Sequence, residues 1–151
     1  MSESILSMVH PDLLEAIWSD VIAYLAPAIK RSKGVITKES LYVGIKEKDY
    51  LLWTSVRDGK FEAFAITCII KHPGTKVLAI PLIGGKDRWN WLGFEPYFID
   101  YGLKNECEFM EGYYRMGWLG LARKISKSVL NSDWEPMWTV ARKRLNKESE
   151  V

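Results

Sequence analysis

The stretch Tyr50-Leu-Leu-Trp-Thr-Ser-Val-Arg-Asp-Gly-Lys-Phe-Glu-Ala-Phe-Ala-Ile-Thr-Cys68 decides the fold. Tyr50 to Val56 is rich in aromatic and β-prone residues and predicts a strand. Arg57-Asp58-Gly59-Lys60 predicts a tight hairpin, because Asp-Gly accepts the positive φ angles such turns demand. Phe61 to His72 is the return strand. Along it Phe64, Ile66, Cys68 and Ile70 share one face, and Ala63, Ala65, Thr67 and Ile69 share the other. Apolar residues on both faces predict a sheet covered on both sides.

Working outward toward the C-terminus, His72-Pro73-Gly74-Thr75 reads as the next turn. Lys76 to Ile83 reads as a third strand, ending at Gly84-Gly85. Asp87 is expected to cap a helix carrying Trp91, Leu92, Phe94, Phe98 and Ile99. Gly93 and Pro96 predict a kink or a restart at Pro96, and Gly102 a stop. Cys107 to Met110 is strand-like, and Gly112 to Arg115 reads as a loop. Trp118, Leu121 and Ile125 share a helical face. Asn131-Ser132-Asp133 reads as a loop, Met137 to Ala141 as a last strand, and Arg142 to Val151 as a charged, frayed end.

Toward the N-terminus, Pro11-Asp12 opens a helix on which Leu14, Ile17, Trp18, Val21, Ile22 and Leu25 recur at helical spacing. Pro27 is expected to end or kink it, before the basic end Lys30, Arg31, Ser32, Lys33 and Gly34. Thr37 is expected to cap a short helix carrying Leu41 and Ile45. Ser40, three residues on, does not read as completing a capping box. Meandering strands followed by strand–helix alternation predict an α/β (α+β) domain: a mixed, mainly antiparallel sheet with helices on both faces.

The totals agree with one domain over residues 1–151. A chain of this length buries roughly 68–70% of the surface it exposes unfolded and needs no staple. The 48% hydrophobic content excludes a disordered chain, and seven Trp and seven Tyr are rings enough for a core and an interface. Net charge is +2, from 21 basic and 19 acidic residues, which argues against a dedicated nucleic-acid binder. The basic positions Lys30, Arg31, Lys33, Arg123, Lys124, Lys127, Arg142, Lys143 and Arg144 read as solvated surface. Cys68 and Cys107 lie in apolar runs and read as buried thiols in a reducing compartment. Two Cys and two His without clustering predict no metal site. The first residues lack a basic start and a long apolar stretch, so no secretion signal is expected. No run approaches the ~20 apolar residues of a membrane span.

Four stretches then point to a family: Lys48-Asp-Tyr-Leu-Leu-Trp53, Ala65-Ile-Thr67, Leu78-Ala-Ile-Pro-Leu-Ile-Gly-Gly85 with Trp89 and Trp91, and Arg115-Met-Gly-Trp118. In order and spacing they resemble the Gcn5-related N-acetyltransferase (GNAT) fold over about residues 38 to 145. More narrowly, they resemble small GNAT-like proteins of tailed bacteriophages. The resemblance implies a cofactor site for coenzyme A at a glycine turn between a strand and a helix, where backbone N–H groups meet the pyrophosphate. The family pattern there is Gln/Arg-x-x-Gly-x-Gly/Ala. Ile83-Gly84-Gly85-Lys86-Asp87-Arg88 stands at the matching place with different spacing, and Asp87 opposes an anion. The cofactor-binding candidates are Gly84, Gly85, Lys86 and Arg88. A general base and an acid are needed as well. Glu62, Glu108, Glu111, Tyr113 and Tyr114 are eligible, and the sequence singles out none. Arg115 can meet a carboxylate or phosphate. The structural alternative has Trp118 packed under the sheet and Arg115 paired with an acid.

Two functions follow as expectations. The first is a non-catalytic GNAT-like phage protein, a virion or assembly component in the host cytoplasm or the virion. Its partners would be phage structural proteins or its own copies. The departure from the glycine pattern and the abundance of Trp favour it. The alternative is an acyl-CoA-dependent N-acyltransferase with a degenerate cofactor loop, taking acetyl-CoA.

Overall fold

The computed structural model describes residues 3–86, 90–113, 134, 137 and 140–145, with the backbone alone at 90–92. The chain divides into two compact units, Met1–Tyr113 and Tyr114–Val151. In the second, Met137, Val140 and Ala141 lie in no helix or strand. The rest of that predicted strand, the 131–133 loop and the helix of Trp118, Leu121 and Ile125 lie outside the described residues.

The first unit builds a five-stranded sheet in sequence order: β1 (Ile5–Met8), β2 (Leu51–Arg57), β3 (Lys60–Lys71), β4 (Lys76–Gly85) and β5 (Phe109–Gly112). The pairs β1–β2, β2–β3 and β3–β4 are antiparallel, and β4–β5 is parallel. A parallel neighbour requires a crossover, supplied by helix α3 (Asn90–Lys104). The central hairpin forms as read. Asp58 and Gly59 both take positive φ (53° and 72°), the two-residue turn that matches strand twist. The strand β1 is an addition to the sequence reading. Its four residues are mostly exposed at the sheet edge, so no apolar alternation announces it.

Helices α1 (Leu14–Arg31) and α2 (Lys38–Lys46) cover one face of the sheet. There Leu14, Val21 and Leu25 of α1 and Leu41 and Ile45 of α2 pack on Leu52, Phe64, Ile66 and Leu82. Helix α3 covers the other, where Phe94 and Phe98 pack on Trp53, Ala63, Ala65, Leu78 and Ile80. Small alanines on that face admit large rings. Trp53 meets Phe98 edge-on at 5.1 Å, and its indole N–H donates to Thr67 Oγ1 at 2.8 Å.

The helix α1 does not end at Pro27, and α3 does not restart at Pro96. Each proline removes one N–H and crowds the preceding turn, but buried apolar neighbours on both sides hold the helix: Leu25 and Ala28 around Pro27, Phe94 and Phe98 around Pro96. Thr37 and Ser40 do form a capping box, because the Ser40 hydroxyl accepts the Thr37 N–H at 2.9 Å as a carboxylate would. Gly102 does not stop α3. It packs against Leu78, and the helix closes with Glu106 at positive φ (62°) and the Cys107 N–H bonded to the Gly102 carbonyl. Both thiols are free and partly buried rather than fully enclosed.

Candidate functional site

The site is set by an irregularity in β4. Ile66 pairs with Leu82, while Cys68 pairs with Ala79, so β4 carries one residue more than β3 between them. Pro81 lies in this bulge, a place that tolerates the missing N–H. The bulge also switches faces. Leu78 and Ile80 face α3, and past it Leu82 faces α1. On the other side β4 pairs with β5 only from Val77 to Ile80, opposite Phe109 to Gly112. Among the described residues, Pro81 to Gly85 therefore have no partner on that side. Among the described residues, β4 runs on past the bulge with a row of backbone groups unpaired on that side. Such an edge can bond an extended, amide-bearing chain as a strand would.

The open edge leads to Gly84, Gly85 and Lys86. Both glycines belong to β4 itself, so the strand runs past its expected end at Ile83. Gly84 has a structural task. A Cβ there would collide with the Tyr24 carbonyl of α1, so the residue lets helix and strand approach. Lys86 follows the strand and donates its N–H to the Glu62 carbonyl at 3.0 Å. Arg88, Asp87 and Trp89 lie outside the described residues.

Glu62 owes its position to a second bulge. Ser55 pairs with Ala63 and Val56 with Phe61, leaving Glu62 as the extra residue of β3. Strict alternation would put Glu62 on the face of Phe64, under α1. The bulge turns its carboxylate instead toward Ser4 Oγ (2.7 Å), Ser55 Oγ (2.8 Å) and Arg57 Nε (2.9 Å). The serine hydroxyls, first Ser4, together with the charges of Arg57 and Lys86, hold its pKa below the ordinary carboxylate value. A carboxylate so held is a poor general base at neutral pH.

The other acid–base candidates separate. Glu108 is exposed and lines an apolar cleft of about 170 Å³ between α3 and β5, with Leu78, Phe98 and Phe109 among its walls. That cleft is away from the open edge of β4. Glu111 lies at the end of β5 and Tyr113 directly follows it. Desolvation pushes the pKa of the Tyr113 phenol up, and the charges of Cys68, Glu111 and Tyr50 add to this. Burial likewise raises the Tyr50 phenol and the Cys68 thiol. The fold thus gathers Tyr50, Cys68, Glu111 and Tyr113 within electrostatic reach of one another. Tyr50 and Cys68 have no motif to announce them in the sequence. Only strand register brings them together. Tyr114, Arg115 and Trp118 lie outside the described residues.

Of the basic positions, Lys30 and Arg31 form the last turn of α1, and Arg142, Lys143 and Arg144 are exposed. Arg123, Lys124 and Lys127 lie outside the described residues. Among the described residues no three His, Cys, Asp or Glu side chains gather as for a metal. No helix there is long and apolar enough to cross a membrane.

The sequence matches no protein-family profile. No curated protein matches it either. The structure has many relatives. It is similar to the aminoglycoside N-acetyltransferase AAC(6')-Iy in complex with CoA, at 15% identity and TM-score 0.66, covering 96% of this chain and 97% of that one. A GCN5-related N-acetyltransferase from Ralstonia eutropha JMP134 matches at 13% identity and TM-score 0.65, over 94% and 99% of the two chains. A ribosomal-protein-alanine N-acetyltransferase from Brucella melitensis biovar Abortus 2308 matches at 8% identity and TM-score 0.63, over 95% and 100%. The chain has the GNAT fold.

Proposed function

We propose that this protein is an acyl-CoA-dependent N-acyltransferase. The observation that carries the reading is the β4 bulge at Pro81, past which β4 has no β5 partner among the described residues and runs into Gly84, Gly85 and Lys86. This reading displaces the expectation of a non-catalytic protein as the leading one. AAC(6')-Iy has been seen both with CoA and with a bisubstrate analogue containing CoA, and acetyl-CoA is the cofactor we assign. In this assignment the β4 edge would hold the amide-bearing arm, and Gly85, Lys86 and Arg88 are the residues assigned to the phosphates. The Gly84 side is spent on α1.

The thioester supplies the acyl group. An amine nitrogen attacks its carbonyl carbon, a C–N bond forms, the C–S bond breaks, and the thiolate leaves with a proton. We assign that proton to Tyr113. A phenol is protonated at neutral pH and so can donate, and Tyr113 follows directly on β5 beside Glu111, Cys68 and Tyr50. The amine must arrive neutral, and water relays its proton away.

Calorimetric titration with acetyl-CoA tests the reading. Micromolar binding, weakened by Lys86→Ala and Arg88→Ala, is expected. No binding at millimolar cofactor overturns it. A second reading, the phage virion or assembly component, draws on the exposed side chains of Leu103 and Phe109 beside the α3–β5 cleft. It takes over if cofactor binding is absent and the protein self-associates or enters particles.

A further inference from the structure

The cluster Ser4, Ser55, Arg57 and Glu62 is not explained by the proposed chemistry. It contains no group suited to move a proton at neutral pH, and it sits apart from Tyr113. Three features tie it to the end of β4. Ala63 pairs with Gly85 and Phe64 with Gly84, so Glu62 is the residue beside Lys86 in the ladder. The Glu62 carbonyl accepts the Lys86 N–H at 3.0 Å. The bulge turns the Glu62 side chain away from α1, to the face that carries Trp53 and Ser55, which is the face α3 covers.

Charge then decides what the cluster does. The carboxylate is only 20% exposed, while Arg57 is 51% exposed. The Ser4 hydroxyl accepts a second bond from Arg57 at 2.9 Å, so guanidinium and carboxylate are pinned by a shared neighbour. Arg57 ends β2 and Lys86 follows β4, and both cations lie near enough to act on the Glu62 carboxylate, so together they favour a polyanion. Glu62 offsets one of those charges. A phosphate arriving at Lys86 meets a fixed negative charge held in place by three donors.

We propose that Glu62 is a specificity-setting residue that limits how tightly the end of β4 holds a polyphosphate ester. This rests on the acyltransferase reading. A transferase must release its CoA product, and a strand end with unopposed Arg57 and Lys86 would slow that release.

The test compares acetyl-CoA binding to the wild type, Glu62→Gln and Arg57→Gln by calorimetry at low and high salt. The expected result is about three- to tenfold tighter binding by Glu62→Gln at low salt, with the gain shrinking as salt rises. Arg57→Gln should bind more weakly by a similar factor. Equal or weaker binding by Glu62→Gln, with the wild type binding normally, overturns the inference and leaves the acyltransferase reading standing. Failure of the wild type to bind overturns both. Should Glu62→Gln fail to fold by thermal melting, Arg57→Gln decides: unchanged or tighter binding overturns the inference.

Discussion

Gly84 of β4 lies directly against the Tyr24 carbonyl of α1. The contact joins strand backbone to helix backbone, and neither can move aside as a side chain would. Gly84→Ala is therefore expected to cost about 1–3 kcal/mol through overpacking. Gly74→Ala, where a Cβ meets nothing within 4 Å and the φ is ordinary, should stay within about 0.5 kcal/mol of wild type. Urea denaturation of the two variants checks this. Equal midpoints would mean that the α1–β4 approach is looser than described. Enlarging Gly84 therefore reports on folding as well as on any phosphate, so cofactor binding is better probed at Lys86.

The buried Trp53–Thr67 bond joins the first two long strands beneath α3. Thr67→Val keeps the shape and removes the acceptor, leaving a buried indole N–H unsatisfied. A loss of about 1–3 kcal/mol is expected, with Thr67→Ser recovering most of it. Thermal melts of both variants read the difference. A Val variant as stable as wild type would show that the indole finds another acceptor.

Glu15 links the first helix to the second. Its carboxylate accepts from Lys46 Nζ at 2.7 Å and from Tyr42 OH at 2.7 Å. Lys46 first and Tyr42 next lower its pKa from the ordinary 4.5 to about 2. A depressed pKa in the folded state stabilises above the unfolded value and is lost as pH falls. Stability should thus decline between pH 4.5 and about 2, and Glu15→Gln should flatten that part of the curve. The group is open to solvent, so added salt should shrink the effect. Melting temperatures against pH at two salt concentrations give the answer, and parallel curves for the two proteins would refute the assignment.

The Thr37–Ser40 box caps α2 from both ends of one hydrogen-bonded loop. Thr37→Ala should cost about 1 kcal/mol, and Ser40→Ala somewhat less, since it leaves the Thr37 cap in place. Chemical denaturation measures both. If Ser40→Ala costs more than Thr37→Ala, the ranking of the two bonds is wrong.

The hairpin, the helix faces and the doubly covered sheet are all legible in the sequence, because each is written in local patterning. Asp58-Gly59 dictates a turn by its φ preferences alone. Alternation from Ala63 to Ile70 tells which side chains face which way, and the 3.6-residue period from Leu14 to Leu25 gives the buried stripe. The candidate site was legible only in part. Gly84, Gly85 and Lys86 stand out as a strand end, but nothing local shows that Gly84 is needed by α1.

What the sequence determined by itself is the order of α1, α2, the hairpin strands β2 and β3, β4, α3 and β5, since propensity and periodicity act within a few residues. What only the tertiary structure decided is where the pattern breaks. Pro27 and Pro96 stay helical because buried neighbours outweigh the lost bonds. The bulges at Pro81 and Glu62 shift the register between paired strands and change which face a side chain takes. They place Glu62 beside Lys86, and they depend on pairing between residues far apart in the chain.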